Sequence, residues 1–254
     1  MAPPNLLHFR VSHYNEKARW ALDFKGIAHT REALLPGLHI PRVRWLTGQN
    51  KVPVLELGDR VVAGSDRILL ALEELHPEPA LVPAEPRLRE RALALEHFFD
   101  TEVAPDVRRL FWWTYLPEPD RCAEMATMGF SPTLRWLWRR AFPVLKVPFA
   151  RNMGLHAESA RRARERLDGH FDRLEAELGP SGYLVGERFG AADLTAAAVM
   201  TAILRPPEFP YPLPEPWPEA LVALRESVAG RAGARWVRDM YVRHRGRSSE
   251  VPRG

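Results

Sequence analysis

With Cys122 as its single cysteine, the 254-residue chain has no thiol pair for an intrachain disulfide, for disulfide exchange or for metal binding. That usage fits a reducing, cytoplasmic setting. No run of roughly 18 apolar residues occurs, and the opening MAPPNLLHFR has no long apolar core followed by a cleavage site. Neither a membrane span nor export is therefore expected. An excess of one charge is also lacking, since 36 Lys and Arg stand interspersed with 32 Asp and Glu, for a formal net charge of +4. Such a surface leans weakly toward anionic small molecules and argues against nucleic acid as a partner. What the chain does have is 46% hydrophobic residues, enough for one large core or two ordinary ones.

Residues 5–10 read as a strand, and 16–25 place Ala18, Trp20, Ala21, Leu22 and Phe24 as a mostly buried helix would, ending at Gly26. A second short strand is predicted near 29–35. The apolar, β-branched run 51–57, the Gly58-Asp59 turn and 61–63 give a hairpin signal. Ile68, Leu69, Leu72 and Leu75 then repeat at helical period and stop before His76-Pro77. The order is β-α-β-(α)-β-β-α. PEPALVPAEP follows, with four prolines in ten residues, and predicts an extended surface linker and a domain boundary. The expected division is 1–78 for an α/β domain, 79–87 for the linker, 88–244 for an all-helical domain and 245–254 for a basic, disordered tail. Helices are predicted over 88–116, 132–147, 157–178, 191–204 and 219–244. Pro143 argues against one long helix in its region.

Four short motifs then stand out in order. They are Ser12-His13-Tyr14-Asn15-Glu16-Lys17-Ala18-Arg19, Lys51-Val52-Pro53-Val54-Leu55, Gly64-Ser65-Asp66-Arg67-Ile68-Leu69, and the segment from Leu184 to Asp193. Together with the α/β domain, proline linker and helical domain, they resemble the cytosolic glutathione S-transferases of the serine type. That resemblance implies a thioredoxin-like N-terminal domain followed by an all-α domain, glutathione as co-substrate, a homodimer, and transfer of the glutathione thiolate to an apolar electrophile. A non-catalytic module that binds apolar ligands or proteins is the alternative.

Ser12 precedes a helix, where a serine ordinarily accepts an N–H two or three residues on. The same helix end carries unpaired N–H groups and a positive dipole that favour an anion. The resemblance makes Ser12 the hydroxyl that lowers the pKa of glutathione's thiol. Relatives that perform thiol-disulfide exchange carry Cys here, so Ser12 and Asn15 exclude that chemistry. His8 reads as a strand residue. By the same resemblance Val52, before a cis Pro53, pairs its backbone with the cysteinyl unit as an added strand. Lys51 is either a solvated charge or the holder of the glycyl carboxylate. Ser65 is an N-cap or, in the family, the ligand of the γ-glutamyl carboxylate. Gly64 stands where the family has Glu, Gln or Asp, and Asp66 is the compensating candidate toward the ammonium group. Asp193 reads as structural, satisfying N–H groups at a helix start where Gly190 replaces the usual Ser or Thr. The aromatics of 110–115, with Trp136, Trp138, Phe142 and Phe149, read as core or as the apolar half of a cleft facing Ser12. Arg135, Arg139, Arg140 and Lys146 beside them read as a solvated face.

Overall fold

The computed structural model describes residues 3–253. β1 (Asn5–His8), α1 (His13–Phe24) and β2 (Thr30–Ala33) form a β-α-β unit with parallel strands, the helix supplying the crossover that parallel pairing requires. After α2 (Ile40–Thr47), β3 (Val54–Leu57) and β4 (Arg60–Ala63) add antiparallel strands, giving the sheet order β2-β1-β3-β4. α3 (Ser65–Leu75) closes this half. The expected thioredoxin-like arrangement is present, and so is the all-helical half that follows it.

That second half contains α4 (Pro86–Phe98), a single π-helical turn (Phe99–Val103), α5 (Ala104–Tyr115), α6 (Pro119–Ala126), α7 (Pro132–Met153), α8 (Ala157–Glu177), α9 (Ala191–Leu204), α10 (Glu219–Ala229) and α11 (Ala232–His244). Every residue of α9 is buried, so its apolar Ala-rich sequence, hydrophobic on all sides, makes it the central rod. Gly190 caps it because an added Cβ would meet the Leu81 carbonyl at 2.9 Å. Asp193 accepts the N–H groups of Leu184 and Gly190, at 2.8 and 2.9 Å, as a structural role requires.

α1 joins the two halves into one core. Trp20 is fully buried against Phe189 and Tyr241, and α1 packs on both α3 and α9. Its charged residues are buried as well. Arg19 is held by Glu16 at 2.8 Å, and Lys17 bonds to Glu96 and, at 2.7 Å, to Asp100. These partners offset the desolvation of the buried charges.

Four expectations need correction. The long helix expected over 88–116 is continuous but not uniformly α, changing to a π-helical turn over Phe99–Val103. The single helix expected over 219–244 is two, because the chain turns at Gly230 and Arg231 is extended. α7, by contrast, runs unbroken to Met153 through Pro143 and Pro148. Each proline removes one helical bond, to the carbonyls of Arg139 and Val144, but both residues are exposed and water can meet those groups. The tail is ordered as far as Arg253, and Gly254 lies outside the described residues: Arg245 is buried and bonds to Glu16 at 2.6 Å and Asp23 at 2.8 Å. Beyond it, Ser249 and Val251 exchange backbone bonds with His29 beside the start of β2. A basic stretch finds order here because α1 presents it with buried carboxylates. The linker is likewise anchored, with Leu81 and Val82 buried and their N–H groups held by Glu73.

Candidate active site

Between the sheet half and helices α5 to α7 lies an open cavity of about 1110 Å³. Ser12, Lys51, Val52, Pro53, Ser65 and Asp66 all border it, so residues spread over the first 66 positions converge on one space.

Ser12 is the N-cap of α1, with extended backbone (φ −77°, ψ 128°), and its Oγ accepts the Asn15 N–H at 3.5 Å. That is at the long limit for a hydrogen bond. The cap therefore leaves most of the hydroxyl's capacity free at the cavity wall. The loop bearing Ser12 is braced from beneath by Arg19, whose guanidinium donates to the carbonyls of Phe9, Arg10 and Ser12 at 3.2, 3.2 and 3.4 Å. His8 lies buried beneath the loop, 2.9 Å from Arg19, and burial together with that guanidinium lowers its pKa well below the ordinary histidine value. His8 does not border the cavity. Tyr14 does, but its hydroxyl donates to the Asp100 carbonyl at 3.2 Å, and burial pushes its pKa up to about 12. It remains a phenol, already engaged.

The Val52–Pro53 bond is cis, and neither the N–H nor the carbonyl of Val52 has a partner among the described residues. Free backbone groups at the end of a strand form an edge that an extended ligand can pair with. Lys51 is exposed, and among the described residues its ammonium makes no ion pair.

Ser65 begins α3 and is buried, its Oγ donating to Asp100 Oδ1 at 3.3 Å. Gly64 before it has φ +103°, a conformation that L side chains rarely adopt, and a Cβ there would lie 2.7 Å from Asp66 Oδ1. Asp66 thus places its carboxylate against the space that a side chain at 64 would enter. Sequence reasoning missed Asp100. It sits on the π-helical turn, borders the cavity, and takes bonds from Lys17 and Ser65. Its only sequence signal was an acidic residue inside a run expected to be plain helix.

The aromatic stretch divides between roles. Phe111, Trp112, Trp138 and Phe149 border the cavity, while Leu110, Tyr115 and Phe142 fill core and Trp136 is half exposed. Arg135 and Arg139 pair with Glu124 and Asp120 of α6, and Arg140 covers the Trp136 ring, as a solvated face would. Cys122 is buried and its thiol is pushed up to about 12, so it offers no thiolate. No helix is long and apolar enough to cross a membrane among the described residues.

Comparison with known proteins bears on the family and the fold. Residues 6–80 match the model of the glutathione S-transferase N-terminal domain, and residues 157–226 that of the C-terminal domain. The chain is similar to a maleylpyruvate isomerase of Ralstonia sp, 33% identical over 103 residues that cover 39% of this chain and 49% of that protein. It is also similar to glutathione S-transferase TCHQD of Arabidopsis thaliana, 27% identical over 212 residues, 78% of this chain and 76% of that protein. Among solved structures, the theta class glutathione S-transferase of Xanthomonas axonopodis pv. citri, with glutathione bound, superposes with a TM-score of 0.57 at 21% identity, covering 92% of this chain and 96% of that one. Two family models in the family's own order, on a thioredoxin-like half followed by a helical half, place this chain in the glutathione S-transferase family.

Proposed function

We propose that the chain is a glutathione transferase, with Ser12 as the group that stabilises the glutathione thiolate. The observation that carries this reading is the convergence of Ser12, Val52 and Ser65 on one cavity with aromatic walls opposite. Glutathione lies across the sheet half. Its γ-glutamyl carboxylate meets Ser65 at the positive end of α3, its ammonium group meets Asp66 and Asp100, its cysteinyl backbone pairs with Val52 beside Pro53, and its glycyl carboxylate meets Lys51. The thiol then falls by Ser12, whose hydroxyl donates to the sulfur and favours the thiolate. The thiolate attacks an electrophilic carbon whose apolar body rests on Phe111, Trp112, Trp138 and Phe149. A C–S bond forms, the leaving group departs with its bonding pair, and the thiol proton has already gone to solvent.

The similarity to a maleylpyruvate isomerase supports a second outcome at the same sulfur, addition to an activated double bond and its release as an isomer. Product analysis separates the two. Titration calorimetry with glutathione, followed by conjugation of aryl halides, tests the primary reading. Binding in the micromolar to millimolar range that Ser65→Ala weakens by about 10-fold is expected from loss of a bond to a charged group. Absence of glutathione binding overturns it in favour of a ligand-binding module.

A further inference from the structure

The cavity carries positive charge that no carboxylate among the described residues neutralises. Arg10, from the β1–α1 loop, and Arg108, from α5, both border the cavity. Arg109, one residue on, is paired with Asp106 at 2.9 Å. Among the described residues Arg108 has no such carboxylate: its Nε is buried without a partner, and desolvation lowers its pKa. Arg10 donates to the Met128 carbonyl at 2.5 Å and lies over the rings of Phe130 and Tyr211, again with no carboxylate.

Two further buried groups have polar atoms without partners among the described residues. His13 also borders the cavity, is 4% exposed, and its Nε2 has no partner. Burial, then the charges of Arg108 and Arg205, lower its pKa to about 3, so it stays a neutral ring able to share a hydrogen bond. Arg205 lies between Phe111 and Phe209 with all three guanidinium nitrogens unpartnered. Of the carboxylates that border the cavity, Asp100 takes bonds from Lys17 and Ser65, and among the described residues neither it nor Asp66 pairs with Arg10 or Arg108.

A desolvated guanidinium without a counter-charge is costly, and a planar anion that meets it in a fork removes that cost. Glutathione's two carboxylates already have Ser65 and Lys51 in the proposed pose. We infer that the second substrate carries an anionic group of carboxylate type, docked on Arg108 with His13 beside it and Arg10 adding positive charge to the same cavity, while its apolar body lies on the aromatic wall. This rests on the glutathione-transferase reading and names the chemical class of that site's acceptor.

The test uses the full chain and reads quenching of tryptophan fluorescence, since Trp112 and Trp138 border the cavity. The probes are 3-nitrobenzoate and its uncharged counterpart 3-nitrobenzamide, each titrated with and without glutathione. Wild type is expected to bind the benzoate at least about 10-fold more tightly, with a preference that weakens as salt rises. Arg108→Met erases the preference and leaves benzamide binding within about two-fold, whereas Arg108→Lys keeps part of it. Arg10→Met, checked by circular dichroism alongside the others, reduces the preference and serves if the Arg108 variants do not fold. Equal affinity of wild type for the two probes overturns the inference, as does a benzoate preference that survives Arg108→Met. Calorimetry with glutathione is run on the same samples. Loss of glutathione binding there sinks the transferase reading, while the fluorescence comparison still decides whether the cavity takes an anion.

Discussion

Replacing Lys17 with Met should unfold the protein far more easily although Lys17 does not border the cavity. Its side chain is fully buried, with Glu96 10% and Asp100 18% exposed beside it. Removing the cation leaves two largely desolvated carboxylates facing each other with no counter-charge. Breaking a buried pair this way costs about 3–5 kcal/mol. With a urea dependence of about 3 kcal/mol per molar for a chain of this size, the midpoint should fall by roughly 1 to 1.7 M, followed by far-UV circular dichroism. Neutralising the whole cluster in Lys17→Met/Glu96→Gln/Asp100→Asn should regain at least half of the loss, because a buried ionic group exchanged entire for neutral groups is often tolerated. A loss under about 1 kcal/mol in the single variant, or a triple variant no more stable than the single one, refutes the assignment of Lys17 as a strut under the π-helical turn.

Two further substitutions probe the frame around the cavity. Asp106 takes a forked pair of bonds from Arg166, both at 2.7 Å, and one from His170 at 3.0 Å; these outweigh the desolvation that raises its pKa and hold the carboxyl well below the usual range. The unfolded chain therefore binds this proton first as pH falls, so Asp106 adds stability above about pH 4 that disappears below it. Wild type should exceed Asp106→Asn by roughly 1–2 kcal/mol from pH 5 to 7, a value discounted because Arg166 is half exposed, and the gap should close toward pH 2 in urea melts. Gly64→Ala puts a Cβ at φ +103° against Asp66, and should cost about 1–3 kcal/mol and weaken glutathione binding several-fold by calorimetry. An Ala variant as stable as wild type counts against Gly64 as a conformational requirement.

Most of the fold was legible because hydrophobic period speaks directly to helix and strand: α1, the β3–β4 hairpin, α3, α8 and α9 lie where their apolar residues place them. Two of the misses come from contacts between distant segments. The π-helical turn that aims Asp100 at Ser65, 35 residues earlier, has no local signature. The tail reads as a solvated basic run until Glu16 and Asp23 are seen to be buried opposite Arg245. α7 was cut short because proline is scored as a breaker, and only its exposure on the surface explains its continuing to Met153. At the site, motif residues were readable one by one. The unpaired guanidinium groups were not, since charge balance depends on which carboxylates lie near.

The most direct test of the site is the ionisation of bound glutathione, followed by ultraviolet absorbance of the thiolate across pH in wild type and Ser12→Ala. A Ser12 hydroxyl donating to the sulfur predicts a bound thiol that titrates below the ordinary value of about 8.5, and a rise of roughly 1–2 pH units in the variant at nearly unchanged glutathione affinity. The cap bond, at 3.5 Å, is long enough that Ser12→Ala should cost less than about 1 kcal/mol of stability. Identical titration of the bound thiol in the two proteins contradicts the role assigned to Ser12.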